Sequence, residues 1–182
     1  MKPKKSRARP KHATRAATKR FDRRDYRNAL GQFATGVTVI TTRAKNGRRI
    51  GLTVNSFTSV SLDPPLVLWC LSRQATDFAA LNAASDFAVS VLSARQHHLS
   101  RHFATTLADK FMGVDYEDAP NGNPVVKGAT AHFICRVAQR FDSGDHVIIV
   151  GEVEKYHWNA GEPLVFHAGR YHVTTRHPDL PD

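Results

Sequence analysis

The feature that most constrains this chain is a pair of long strand-like runs, 131–141 and 146–158, separated only by Asp142-Ser143-Gly144-Asp145. Four residues of that kind make a tight reversal, so the two runs must lie antiparallel and pair with each other. Shorter β-branched runs at 37–42 and 49–55 flank Lys45-Asn46-Gly47, whose Asn-Gly pair suits the positive-φ positions of a second hairpin. After Asp63-Pro64-Pro65, the apolar run 66–71 has the length of a strand buried on both faces. Further strands are predicted over 87–92 and about 164–172. Tyr26, Leu30, Phe33 and Ala34 recur at helical spacing and predict a helix over 22–35, with Asp22 as N-cap and Gly36 as its stop. Two more helices are predicted over 76–84 and 94–103, the second capped by Ser93. The stretch 115–124, with Asn121-Gly122-Asn123-Pro124, reads as the longest turn-rich segment. Six or more strands joined mainly by tight turns predict a mainly β fold with flanking helices, an antiparallel barrel.

Charge is unevenly placed. The formal net charge of the 182 residues is +10, yet residues 1–20 hold nine of the 26 Lys and Arg and none of the 16 Asp and Glu. The remainder therefore sets 17 basic against 16 acidic side chains. The reading is a basic, disordered N-terminal tail over 1–20, one folded domain over 21–175 and a short C-terminal tail over 176–182. The body lacks the interleaved aromatic and basic residues of a nucleic-acid groove, so nucleic acid is not the expected partner. The longest apolar runs, such as Val147-Ile148-Ile149-Val150, fall far short of the ~20 residues that a membrane helix needs, so no membrane role is expected. Cys70 and Cys135 sit among apolar neighbours and read as buried thiols in a reducing cytoplasm.

Several chemistries are excluded. No two glycines stand two residues apart, which removes the dinucleotide fingerprint, and no Gly-Lys-Ser/Thr phosphate loop exists. His98 and His102 have helical spacing, but Leu99 stands where a zinc protease needs its Glu, and no metal is expected. No Ser or Cys nucleophile falls in a familiar catalytic pattern.

Four segments in order carry a resemblance: YRNALGQFATGVTVITT (26–42), GLTVNSFTSVSLDPPLVL (51–68), GDH (144–146) and PLVFHAGRY (163–171). Together they resemble the short-chain flavin reductases, the reductase components of two-component flavin-dependent monooxygenases. The resemblance implies an FMN-binding split β-barrel that works as a homodimer. It implies flavin contacts from Ile50, Gly51, Leu52, Thr53, Asn55 and Ser56, then from Cys70, Leu71 and Ser72, with Thr76 near the phosphate and His102 and Phe103 near the flavin. Backbone groups and Asn55 offer the donors and acceptors that an isoalloxazine edge requires, and Gly51 permits close approach. The start of the helix after Thr76 would favour an anion, while Asp77 would repel it unless it turned away to cap that helix.

By the same resemblance, His146 lies near the nicotinamide, and Phe166, His167, Ala168 and Gly169 line the dinucleotide site. Ala168 stands where a basic residue is common and Arg170 follows it, which leaves NADH and NADPH both open. Tyr171 packs either on the ring or on the barrel. The expected activity is hydride transfer from NADH or NADPH to FMN or FAD, with no protein nucleophile and with His146 as an orienting group. Reduced flavin would then pass to a monooxygenase component. The alternative on the same barrel is a flavin carrier or sensor without turnover.

Overall fold

The computed structural model describes residues 22–179. The basic tail read at 1–20 lies outside them. In chain order the elements are α1 (Arg23–Leu30), β1 (Thr35–Gly36), β2 (Thr38–Arg43), β3 (Arg49–Val54), β4 (Thr58–Leu62), β5 (Pro65–Ser72), α2 (Phe78–Ala83) and β6 (Asp86–Val91). A 3₁₀ turn (Ala94–Gln96) then leads into α3 (His97–Ala104), followed by β7 (Tyr116–Asp118), β8 (Pro124–Val126), β9 (Ala131–Ser143), β10 (His146–Trp158), β11 (Val165–His167) and β12 (Arg170–His172).

The long hairpin is the spine. His146 pairs with Ser143 across a two-residue turn in which Gly144 takes φ +62°, a conformation that side chains with a Cβ rarely adopt. β10 also pairs with β5, and β9 with β6, so a seven-stranded antiparallel sheet grows outward in the order β3-β2-β6-β9-β10-β5-β4. Its two edge strands, β3 and β4, are consecutive in the chain. Only Asn55, Ser56 and Phe57 separate Val54 from Thr58, which limits the edge-to-edge span there to about 14 Å. Six inter-strand steps laid flat would need about 29 Å. The sheet therefore has to curl round on itself, closing into a barrel that stays open at one seam.

The interior of the barrel holds Ile40, Ile50, Val67, Trp69, Leu71, Phe87 and Ile149, with Trp69 and Phe87 edge to face at 5.8 Å. A second cluster, with Val37, Leu92, Phe103, Phe111 and Leu164, packs beneath α3. The small sheet β1-β11-β12 caps that end.

Four sequence expectations need correction. The first helix stops at Leu30 because Thr35 and Gly36 spend their backbone groups on Phe166 and Val165 of β11. None of its residues is buried, and Tyr26, Leu30 and Phe33 remain exposed. The run 164–172 is broken into a hairpin by Ala168 and Gly169, both at positive φ. The turn-rich stretch contains β7, which pairs with β8. The helix read over 94–103 opens as a 3₁₀ turn, although Ser93 does cap it, in a reciprocal capping box with Gln96.

Gly151 marks a close approach inside the barrel. A Cβ there would lie 2.4 Å from Cζ of Phe87, a ring only 2% exposed and so unable to swing aside. Gly151→Ala should lower stability by about 1–3 kcal/mol. Urea titration should show a lower midpoint at unchanged slope, and adding Phe87→Leu to the same chain should recover part of the loss.

Candidate functional site

The seam of the barrel is a groove made of three adjoining clefts. The central one, about 340 Å³, is lined by Leu52, Thr53, Val54, Asn55, Ser56, Cys70, Ser72, Gln74, Ala75 and His146. The end of β3, the crossing to β4 and the end of β5 supply most of this lining. His146 joins them because the β10–β5 register sets it directly opposite Ser72. A smaller cleft of about 200 Å³ continues from Gly51 and Leu52 past Gln74 to Thr76, Asp77, Thr106 and Lys110. A larger one of about 690 Å³ lies between the end of α1 and the β11–β12 turn, with Phe166, Ala168 and Gly169 on its wall. Asn55 lines both the central and the larger cleft.

Hydrogen bonding gives the central cleft a defined polarity. Thr53 Oγ1 donates to the Ser100 carbonyl at 2.8 Å, so its oxygen faces a ligand as an acceptor. Ser56 Oγ accepts from the Cys70 amide at 3.0 Å, and Ser72 Oγ from the Gln74 amide at 3.2 Å, which leaves both hydroxyl protons available as donors. His146 Nδ1 meets Asp145 Oδ1 at 2.8 Å. That hydrogen bond, with the attraction of the imidazole behind it, holds the Asp145 carboxyl below its usual range. In the neutral ring Nδ1 then carries the proton and Nε2 is an acceptor. The 143–146 turn is anchored in its turn by Arg73, whose amide donates to the Asp145 carbonyl and whose guanidinium pairs with Asp142.

The smaller cleft differs from what the sequence suggests. α2 begins at Phe78 and has only six residues, and Asp77 forms no capping hydrogen bond. Asp77 instead pairs with Arg48 at 2.7 Å, which neutralises the carboxylate that would oppose an anion. Thr76 Oγ1 meets Thr106 Oγ1 at 3.2 Å. The positive group at this end is Lys110, 8% exposed, whose Nζ donates to the carbonyls of Phe103 at 2.8 Å and Gly51 at 3.1 Å. Burial pushes its pKa below the ordinary lysine value, with the Asp77 carboxylate acting the other way. Sequence reasoning missed Lys110 and Gln74. An isolated lysine after Asp109 carries no local signal, because its burial depends on α3 and β3 converging on it.

Other residues singled out by sequence lie behind the groove rather than in its lining. Ile50, Leu71 and Phe103 have side chains that are at most 1% exposed and belong to the core. Phe103 fills the space beside Gly51, where a Cβ would come within 2.4 Å of its ring. His102 Nε2 bonds the Lys110 carbonyl at 2.7 Å, and so holds the segment that carries the cation. His167 stacks edge-on with His172 at 5.7 Å. Among the described residues no His, Cys, Asp and Glu cluster has the makings of a metal site, and no helix is long and apolar enough to cross a membrane.

A groove with acceptors and donors arranged along a strand end, a buried cation at one end and an aromatic hairpin at the other suits a long, flat, phosphorylated heterocycle. Comparison with known proteins agrees with that chemistry. Residues 30–175 match the flavin reductase like domain, and the chain belongs to that family. It is 49% identical over 148 residues to the FMN reductase (NADH) SmoA of Agrobacterium fabrum, covering 81% of this chain and 84% of that protein. It is 44% identical to the stachydrine N-demethylase reductase subunit Stc3 of Rhizobium meliloti, covering 83% of this chain and 66% of that one. The NADH:FAD oxidoreductase SgcE6 of Streptomyces globisporus, solved in complex with NAD and FAD fragments, superposes with a TM-score of 0.81 at 41% identity, over 88% of this chain and 96% of that one. The mainly β, antiparallel split barrel is thus the fold of its flavin reductase relatives.

Lys110 generates a pH signature. Its pKa in the folded chain lies below the 10.5 of the unfolded chain, so between the two values the unfolded chain holds the extra proton. Stability therefore rises with pH through that window. Lys110→Met should remove the rise, as read from urea unfolding of both proteins across the alkaline range.

Proposed function

We propose that this chain is an NADH-dependent flavin reductase that supplies reduced FMN or FAD to a separate flavin-dependent monooxygenase. The observation that carries this reading is the continuity of the groove through Asn55, which lets a heterocycle held along β3 meet a second one held by the β11–β12 hairpin. The reduced nicotinamide supplies a hydride and the flavin accepts it, so the chain needs no nucleophile of its own. Its residues hold and orient. Leu52, Thr53, Asn55 and Ser56 flank the ring system through backbone groups and the polar side chains described above. Cys70 and Ser72 close the other side. Thr76, Thr106 and Lys110 receive the phosphate, Lys110 as a charge that the Arg48–Asp77 pair leaves uncancelled.

His146, fixed by Asp145, presents Nε2 as an acceptor for the carboxamide N–H of the nicotinamide. Phe166 and the Ala168–Gly169 turn form the dinucleotide wall. Because Asp145 restrains the ring, His146 acts as an orienting group and not as an obligatory acid. The folded unit is assigned as 21–175, its first residue lying outside the described ones, and a cytoplasmic setting suits two unpaired cysteines, one of which, Cys135, has its thiol pushed up to about 12 by burial.

The outer face of the main sheet supports a homodimer. Val60, Leu66, Leu68, Phe141 and Ile148 line an apolar groove of about 480 Å³, and Leu62 beside it is 93% exposed. An isologous contact would cover this face while leaving the seam open. Phe141→Glu should convert the dimer to a monomer in sedimentation velocity. A chain that sediments as a monomer without the substitution would remove the dimer.

Purified protein mixed with NADH and excess FMN or FAD should oxidise NADH far faster than the protein-free mixture. Flavin binding without NADH oxidation would instead make the chain a carrier. His146→Ala should raise the KM for NADH about five- to tenfold, the worth of one hydrogen bond, with little change in flavin Kd. Lys110→Met should weaken FMN more than riboflavin, which lacks the phosphate.

A further inference from the structure

The flavin strand and the dinucleotide hairpin belong to different sheets. β3 is an edge of the seven-stranded sheet, and β12 is an edge of the three-stranded one. The near end of the small sheet is held by backbone bonds, Val37 to Leu164 at 3.2 Å and Leu164 to Leu92 at 2.9 Å. Its far end turns on Ala168 and Gly169, where the Ala168 amide donates to the Gly31 carbonyl at 2.8 Å and ties the turn to the end of α1.

A relay through Ser100, by its hydroxyl on one side and its main-chain carbonyl on the other, ties β12 to the flavin strand. Tyr171 OH and Ser100 Oγ lie 2.9 Å apart, and the carbonyl of the same Ser100 accepts the Thr53 hydroxyl at 2.8 Å. Ser100 is 2% exposed, so water cannot replace Tyr171 as its partner without opening α3. The Tyr171 ring touches Phe166, with centroids 5.5 Å apart, and the Arg101 guanidinium of α3 lies 5.6 Å from the centroid of the Tyr171 ring. Thr53 is on one wall of the groove and Phe166 on the other.

We propose that Tyr171 and Ser100 are positioning residues for hydride transfer: through Thr53 and Phe166 they fix the spacing between the flavin wall and the dinucleotide wall. This rests on the reductase reading above. Neither residue lines the groove. Transfer rates are steep in donor–acceptor distance, and a misplacement of about 1 Å costs on the order of a hundredfold. A partial loosening should then cost about tenfold.

Tyr171→Phe removes one oxygen and keeps the ring, and Ser100→Ala removes the other end of the same bond. Three readouts separate positioning from packing: flavin Kd by fluorescence quenching, the long-wavelength charge-transfer absorbance when protein loaded with reduced flavin is titrated anaerobically with NAD, and the rate of flavin reduction at saturating NADH. Each variant should retain the wild-type flavin Kd, lose charge-transfer absorbance and reduce flavin about tenfold more slowly. The double variant should be no slower than the slower single one, because both break one bond. Wild-type absorbance and rate in Tyr171→Phe would overturn the proposal, as would two effects that multiply in the double variant. A wild type that oxidises no NADH would instead bring down the reductase reading, a result distinguishable from active wild type with unaffected variants.

Discussion

Three residues between β3 and β4 set the shape of this molecule. Because Asn55, Ser56 and Phe57 must join opposite edges of a seven-stranded sheet, the sheet cannot lie flat, and the curl places its two ends face to face across a narrow opening. Edge strands have unsatisfied backbone groups, which elsewhere invite aggregation. Here the end of the edge strand β3 and the crossing to β4 border the opening, so polar groups exposed there become part of the recognition surface, with side chains from β5 and β10 completing it. The functional groove is a consequence of barrel closure, with no separate ligand-binding element added to it.

Electrostatics along the groove are arranged by pairing. Asp77 would oppose a phosphate, and Arg48 cancels it from the solvent side. Burial works against the charge on Lys110 and the Asp77 carboxylate works for it, while two backbone carbonyls accept from its Nζ. Those carbonyls are neutral, so the ammonium retains its field toward the cleft, whereas a carboxylate partner would have consumed it. At the other end Asp145 restrains His146 and stays exposed, where solvent screens its charge.

Much of the fold was legible because it is local. The Asp22 cap, the Ser93 capping box, the Asn46-Gly47 turn and the 131–158 hairpin depend on residues within a few positions of one another. The break at Ala168 was hidden because alanine rarely takes φ of +47°; a hydrogen bond from its amide to the Gly31 carbonyl, 137 residues earlier, helps hold it there. The first helix read too long for a similar reason, since periodicity cannot see that Thr35 is claimed by a strand near the other end of the chain. In the groove, segments matched as units named Thr53, Ser56 and Ser72 for the flavin and His146 for the nicotinamide, and all four line the central cleft. Lys110, Gln74 and the Arg48–Asp77 pair escaped because their meaning comes from convergence of distant elements.

Gly51 links packing to chemistry at a single missing methyl. Phe103 occupies the volume where its side chain would be, and Lys110 bonds its carbonyl. Positions 51 and 103 therefore form an epistatic pair: enlarging residue 51 becomes tolerable only after residue 103 has shrunk, while the cation, held by the backbone carbonyls of both, keeps its partners through either change of side chain.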